Sequence, residues 1–279
     1  MNSKVADAIG LETHAVALVW ADAAPQGATR FKQGRWGCVV ALFAAVAAKG
    51  RVGAFDRQTY GCWGGGVGLG LGNCYETFPG GIEGLCRFLA DGNKLSEEGR
   101  RIGTEMDAWS GRRVTDDFLE GERYLKSAEA AKRFLGVIPM RDIPAQYVVV
   151  KPLDLADPEQ EDIKSVTFFV DPERLSALVV LANYTDPDLE NVIVPWAAAC
   201  QIMGIFAYRE LEREHPRALV GLTDLSARLN VRASLGTNVL SFTTPWPLFL
   251  RMEQNVKGSF LQRRTRDELR RHRSPCIST

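Results

Sequence analysis

The sequence predicts an α/β or α+β fold, a mixed sheet with flanking helices. Three observations carry that prediction. Short β-branched runs alternate with longer alanine- and leucine-rich runs along most of the chain. Helix punctuation stands between them, with Asp171-Pro172-Glu173 as a start and Gly50 as a stop. Of the 279 residues, 46% are apolar, enough for one sizeable core. These features give a single domain over 1–279, with sub-halves 1–140 and 141–260 and a basic tail over 261–279.

Residues 14–20 read as the first strand, followed by a polar connection over 22–35. The alanine- and valine-rich run 38–49 reads as a helix closed by Gly50. A short strand follows at 51–55. After the glycine-rich stretch, 82–90 opens a helix that closes near Asp91-Gly92. Residues 94–135 are charged and helical in character, interrupted by Gly111 and Gly121. The segment 122–135 is the best helix there, because Tyr124, Leu125, Ala128, Ala131 and Leu135 recur at helical spacing. Pro139 and Pro144 mark a connector, 147–150 a strand, and 154–162 an acidic loop.

The second half alternates more clearly. Residues 166–170 form a strand. Asp171 caps the helix that continues over 175–184. A strand at 191–194 precedes a helix at 200–214, and another strand at 218–222. Asp224 caps the next turn, where Arg228 completes an intrahelical pair. A strand at 239–243 leads to a helix at 248–256, whose Trp246, Phe249 and Met252 read as core. There is also an internal echo. Cys38 and Cys200 each follow a tryptophan and small residues, and each begins an apolar helix ahead of a strand. That pattern suggests two similar halves related by a pseudo-two-fold.

The chain carries 34 basic and 34 acidic residues, a balance that argues against a nucleic-acid binder. Residues 1–11 lack a basic segment followed by an apolar run, and the longest apolar run, 38–48, is too short to span a bilayer. A cytoplasmic protein with reduced thiols and no membrane partner is therefore expected. A homo-oligomer is left open. Arg263, Arg264, Arg266, Arg270, Arg271 and Arg273 read as a solvated tail.

The most unusual stretch is 62–81, where eight of twenty residues are glycine. Ordering so much glycine is costly in entropy, which points to positive φ or to close backbone approach. We read it as a loop wrapping a buried group, with Cys62 as a ligand. A plain Gly-rich turn is the structural alternative. The stretch has neither a Gly-x-Gly-x-x-Gly register nor a Lys-Ser/Thr after its last glycine, so a nucleotide-binding loop is not indicated. None of the six cysteines forms Cys-x-x-Cys. His14, His215 and His272 read as surface or capping residues.

Several patches resemble the bacterial and archaeal family known as domain of unknown function 169. They include Ala54-Phe55-Asp56-Arg57 ahead of Cys62-Trp63-Gly64-Gly65-Gly66, and Phe78-Pro79-Gly80-Gly81. Tyr147-Val148-Val149-Val150-Lys151-Pro152-Leu153, Leu181-Ala182-Asn183-Tyr184 and the run from Gly221 to Arg228 also fit. The resemblance implies cysteines at Cys38, Cys62 and Cys200 and brings no settled activity. Cys74, Cys86 and Cys276 look peculiar to this sequence. Trp196-Ala197 stands where the family pattern suggests phenylalanine-glycine.

Three thiolates from distant parts of a cytoplasmic chain suit a soft metal or an iron–sulfur cluster. The leading expectation is a [4Fe–4S] cluster on Cys38, Cys62 and Cys200. Its open iron would serve redox or Lewis-acid chemistry on a small substrate or with an electron-transfer partner. Gly64, Gly65, Gly66 and Arg228 are the expected cofactor contacts. Two other readings stand beside it: a metal-free module whose glycine loop holds a small anion, and a structural protein whose cysteines are core.

Overall fold

Strands whose two faces are both apolar need helices on both sides, and the chain supplies them. The computed structural model describes residues 1–263. The strands are β1 (Val16–Ala21), β2 (Gly53–Phe55), β3 (Tyr147–Pro152), β4 (Asp162–Val170), β5 (Val192–Ile193), β6 (Ala218–Gly221) and β7 (Leu240–Pro245). They form one sheet in the order β2-β3-β1-β4-β7-β6-β5. Every neighbouring pair is antiparallel except β5 with β6. The fold is thus α/β with a mixed sheet, as expected.

The helices of the first half are α1 (Lys4–Ala8), α2 (Val39–Lys49), α3 (Trp63–Gly68), α4 (Gly81–Leu89), α5 (Glu97–Ser110), α6 (Arg112–Glu120) and α7 (Ala128–Val137). Then come α8 (Pro172–Ala182), α9 (Ala199–Gln201), α10 (Ala207–Leu211), α11 (Leu225–Leu235) and α12 (Trp246–Asn255). A π-helical turn, Ile202–Phe206, joins α9 to α10. Ser165 Oγ donates to Met203 O at 3.0 Å inside that turn, satisfying a carbonyl that the irregular ladder exposes.

Alternation on the strands sorts the helices into two outer layers. Val16 and Leu18 of β1 face a cluster with α2, α3, α11 and the π-turn. Ala17 and Val19 face a cluster with α1, α8 and α12. Phe249 and Met252 are fully buried there, as their spacing predicts. Glu253 of α12 accepts from Lys4 N and Val5 N and so holds the start of α1. Outward from the central β1/β4 pair, one side runs β3, β2 and the other β7, β6, β5. β3 lies beyond residue 140 yet sits among the early strands, so the sheet does not divide at 140.

Several elements differ from expectation. The glycine-rich stretch begins as a helix, α3, not a loop. Its later glycines, Gly70, Gly72, Gly80 and Gly81, do take positive φ. The helix expected over 122–135 starts only at Ala128, where the Ser127 hydroxyl accepts from Ala130 N. Of the tail expected over 261–279, residues 264–279 lie outside the described residues, with Arg264, Arg266, Arg270, Arg271, Arg273, His272 and Cys276 among them. No helix among the described residues is long and apolar enough to cross a membrane.

The glycines of α3 serve packing. A Cβ on Gly68 would stand 2.8 Å from the carbonyl carbon of Cys200, and one on Gly204 would stand 2.0 Å from Gly68 O. Backbone meets backbone there, so neither neighbour can yield as a side chain does. Gly204→Ala is therefore expected to destabilise the protein by about 1–3 kcal/mol or more. Gly136 of α7 has open space around its Cα, and Gly136→Ala is expected to stabilise by up to about 1 kcal/mol. Urea denaturation of both variants checks the contrast; equal effects would contradict it.

Candidate functional site

Three helix N-termini meet where the glycines allow it. Cys38 is the N-cap of α2, with no side-chain capping bond of its own. Cys62 is the N-cap of α3, and its sulfur accepts from Gly65 N at 3.3 Å. Cys200 is the second residue of α9, and its thiol donates to Gly64 O at 3.2 Å. Gly65 abuts Val39 in the first turn of α2, and Gly68 abuts the backbone of α9. Cys38, Cys62 and Cys200 all line one cavity of about 460 Å³.

The thiols are held neutral. Burial, and then the neighbouring Cys62, pushes the Cys38 pKa up to about 12. Burial raises Cys62, against the N–H donors of Gly65 and Val39. Burial raises Cys200 well above its usual range, with Cys62, Asp224 and Cys38 adding to it. Thiols of this kind are not activated nucleophiles; they become ligands only when a metal replaces the proton.

The other expected contacts divide. Gly64 lines the cavity, but Gly65 and Gly66 do not. Gly66 packs against Cys74 and Tyr60. The Gly65 and Gly66 amides are committed to Cys62, the second through Cys62 O at 2.9 Å. Arg228 does not line the cavity either. It donates to Leu222 O (3.1 Å), Val239 O (2.9 Å) and Thr237 O (2.6 Å), so it belongs to the wall. Leu222 has φ +61°, a strained value for a bulky residue, and Arg228 clamps its carbonyl. Cys74 donates to Leu71 O at 3.6 Å, and burial raises its pKa to about 11. Cys74 and Cys86 stay out of the cavity wall. His14 and His215 are exposed beside Asp154 and Asp186. Among the described residues, no set of three or more His, Cys, Asp or Glu side chains is arranged to hold a metal ion.

Asp224 has a different role from the one its sequence position suggests. It is the N-cap residue of α11, as expected, but its carboxylate makes no capping hydrogen bond there. Its Oδ1 accepts from Ala199 N at 3.1 Å, so it caps the helix that carries Cys200. Asp224 also lines the cavity, and burial raises its pKa. Gln201, next to Cys200, donates to Tyr75 OH at 2.8 Å and fixes that wall.

Sequence reasoning missed Glu122. Helical spacing places it inside a helix, but it lies on an irregular segment pinned to the end of α4. Glu122 N donates to Phe88 O (2.7 Å), Arg123 N to Ala90 O (3.1 Å) and Leu125 N to Leu89 O (3.1 Å). Arg123 takes φ +55° and is exposed, while Glu122 and Tyr124 line the cavity. Burial, then Asp117 and Asp224, raise Glu122 to about 8, against the pull of Ser226 and Arg113. The available signal was Ser127 followed by Glu129, a helix start that leaves 122–126 outside.

Fold and site together define a three-layer α/β protein with one cavity lined by both thiols and carboxyls. The chain belongs to the family domain of unknown function 169, described as uncharacterised ArCR, whose model matches residues 4–255. No curated protein and no solved structure matches the chain.

Glu122 makes folding depend on pH in an unusual direction. The unfolded chain ionises it near its ordinary value of 4.5, whereas the folded chain holds the proton to about pH 8. Between those values the native state binds more protons, so this group's contribution to stability falls as pH rises and is lost in full above about pH 8. Glu122→Gln is expected to match the wild type near pH 5 and to exceed it at pH 9 by on the order of 1–3 kcal/mol. Urea denaturation at both pH values measures this; a difference independent of pH would contradict it.

Proposed function

We propose that this protein holds a cysteine-ligated metal centre, with an iron–sulfur cluster on Cys38, Cys62 and Cys200 as the leading form. The observation that carries the reading is the convergence of these three cysteines, 162 positions apart at the extremes, on one cavity wall. Their chemistry fits a soft centre. Cys62 and Asp224 raise the pKa of Cys38 and Cys200, and a cationic centre among them would take the place of the protons. A single ion needs each sulfur within about 2.3 Å. A multi-iron cluster spans a wider set of thiols, which suits residues spread around a cavity. When bound, such a cluster supplies an electron-transfer centre or an open Lewis-acidic iron.

The protein's own residues supply the rest. The N-termini of α2 and α9 favour negative charge at Cys38 and Cys200. Gly64 O accepts the Cys200 thiol proton in the metal-free form. Trp36, Trp63 and Phe78 add apolar surface to the cavity lining. The remaining cavity volume leaves room for a small substrate beside the centre.

Anaerobic purification with iron and sulfide analysis tests the reading. The protein is expected to be brown, with broad visible absorption and bound iron and sulfide. Cys62→Ala is expected to lose colour and iron together, and Cys86→Ala to keep both. A colourless, iron-free protein that stays so after anaerobic reconstitution, while folded by circular dichroism, would overturn the metal reading.

A further inference from the structure

We propose that the part of the cavity around Asp117 and Glu122 is a subsite for a small aromatic molecule carrying a protonated amine. This goes beyond the metal-centre reading and does not require it. Different elements carry the two sets of groups: α2, α3 and α9 carry the thiols, α6 and the segment after it carry Asp117 and Glu122, and Asp224, bonded to Ala199 N, lies between the two sets.

The size and surface of the space come first. The whole cavity, thiols included, holds about 460 Å³, within the range of small-molecule sites, roughly 300–1,000 Å³. Its sides are largely aromatic, with Trp36, Phe88, Tyr124, Phe134 and Trp196 among them. Phe134 and Trp196 pack at a 48° tilt with ring centroids 4.6 Å apart. Such walls accept a flat ring and present the negative faces of their own rings.

Charge then selects the ligand. Asp117, Glu122 and Asp224 line the space, and Arg113 is the one cationic side chain among the described lining residues. Arg113 is already held: it donates to Asn230 Oδ1 at 3.1 Å and lies 5.7 Å from the Trp36 ring centroid. One tethered guanidinium faces three carboxyls. An anionic ligand would meet repulsion, and a neutral one would use only the apolar walls. An ammonium gains a charge-assisted hydrogen bond as well as the aromatic faces. Glu122 is the carboxyl we assign to the amine, because its backbone is pinned by three hydrogen bonds around the strained Arg123. Its raised pKa agrees with this, since an arriving ammonium restores the charged form and expels the proton. The titratable groups facing it are Asp117 and Arg113 of α6, Tyr124 beside it and Asp224 before α11.

Isothermal titration calorimetry of the full chain at pH 8 tests the proposal with three near-isosteric probes: 2-phenylethylamine, 2-phenylethanol and 3-phenylpropanoate. The amine is expected to bind at least about tenfold tighter than the alcohol, with the acid weakest. The amine alone should show an enthalpy that depends on the buffer, as proton release requires. Glu122→Gln should remove most of the amine's advantage and leave the alcohol's affinity unchanged; Asp117→Asn, which leaves the pinned segment intact, should reduce it as well. Cys62→Ala should keep the full preference, which separates this proposal from the metal reading. Binding of the acid as tightly as the amine would overturn the proposal. So would binding of none of the three, or an unchanged preference in both carboxyl variants.

Discussion

The backbone contact between α3 and the helix of Cys200 sets the geometry of the whole thiol wall. A Cβ on Gly204 would lie 2.0 Å from Gly68 O, a distance no side chain survives. With hydrogen in its place, two short helices approach more closely than ridge-and-groove packing allows. Gly65 does the same against Val39. Two contacts thus fix three helix N-termini around one space, and each terminus carries a cysteine. Because none of these atoms can relax independently, the cavity is a property of the backbone more than of the side chains that line it.

The cavity is also electrostatically unbalanced. Cys38, Cys62, Cys200, Asp224 and Glu122 are all pushed towards their neutral forms by burial, the thiols further by their acidic neighbours and Glu122 further by Asp117 and Asp224. A buried acid without a partner cation protonates in preference to carrying unsolvated charge. The resting state is therefore a reservoir of protons. Any cationic occupant of either wall displaces some of them, so occupancy and pH are linked.

Irregular backbone surrounds the same space. Leu222 and Arg123 are the two non-glycine residues with positive φ among the described residues, and each lies one or two positions from a lining residue. The π-turn follows Cys200 within two residues. Strain of this kind costs on the order of 1–3 kcal/mol per residue. It persists because nearby groups hold it: Arg228 on the Leu222 carbonyl, and backbone bonds from 88–90 on the 122–125 segment. Such features gather where side chains must be aimed, and here they aim Asp224 and Glu122.

The layers were legible in the sequence because burial patterns are local. Doubly buried runs such as Tyr147-Val148-Val149-Val150 and capped starts such as Asp171-Pro172 declare themselves without knowledge of partners. The helix N-terminal placement of Cys38 and Cys200 was legible for the same reason. The glycine-rich stretch showed that backbone approaches something closely, but not what. Its reading as a loop failed because glycine's helix penalty, about 1 kcal/mol each, was outweighed by contacts with α2 and α9 that no local pattern contains. Asp224 and Arg228 sit four apart as a capping pair would. The folded chain instead sends one to Ala199 and the other to three carbonyls on either side of α11. Glu122 had no local signature, since its importance comes from Asp117, Asp224 and Ser226 arriving from other elements. The sequence by itself determined the α/β layering and the cysteines' places at helix starts, through periodicity and caps. Only the tertiary structure decided that thiols and carboxyls share one cavity, because convergence across the chain depends on which backbones can touch.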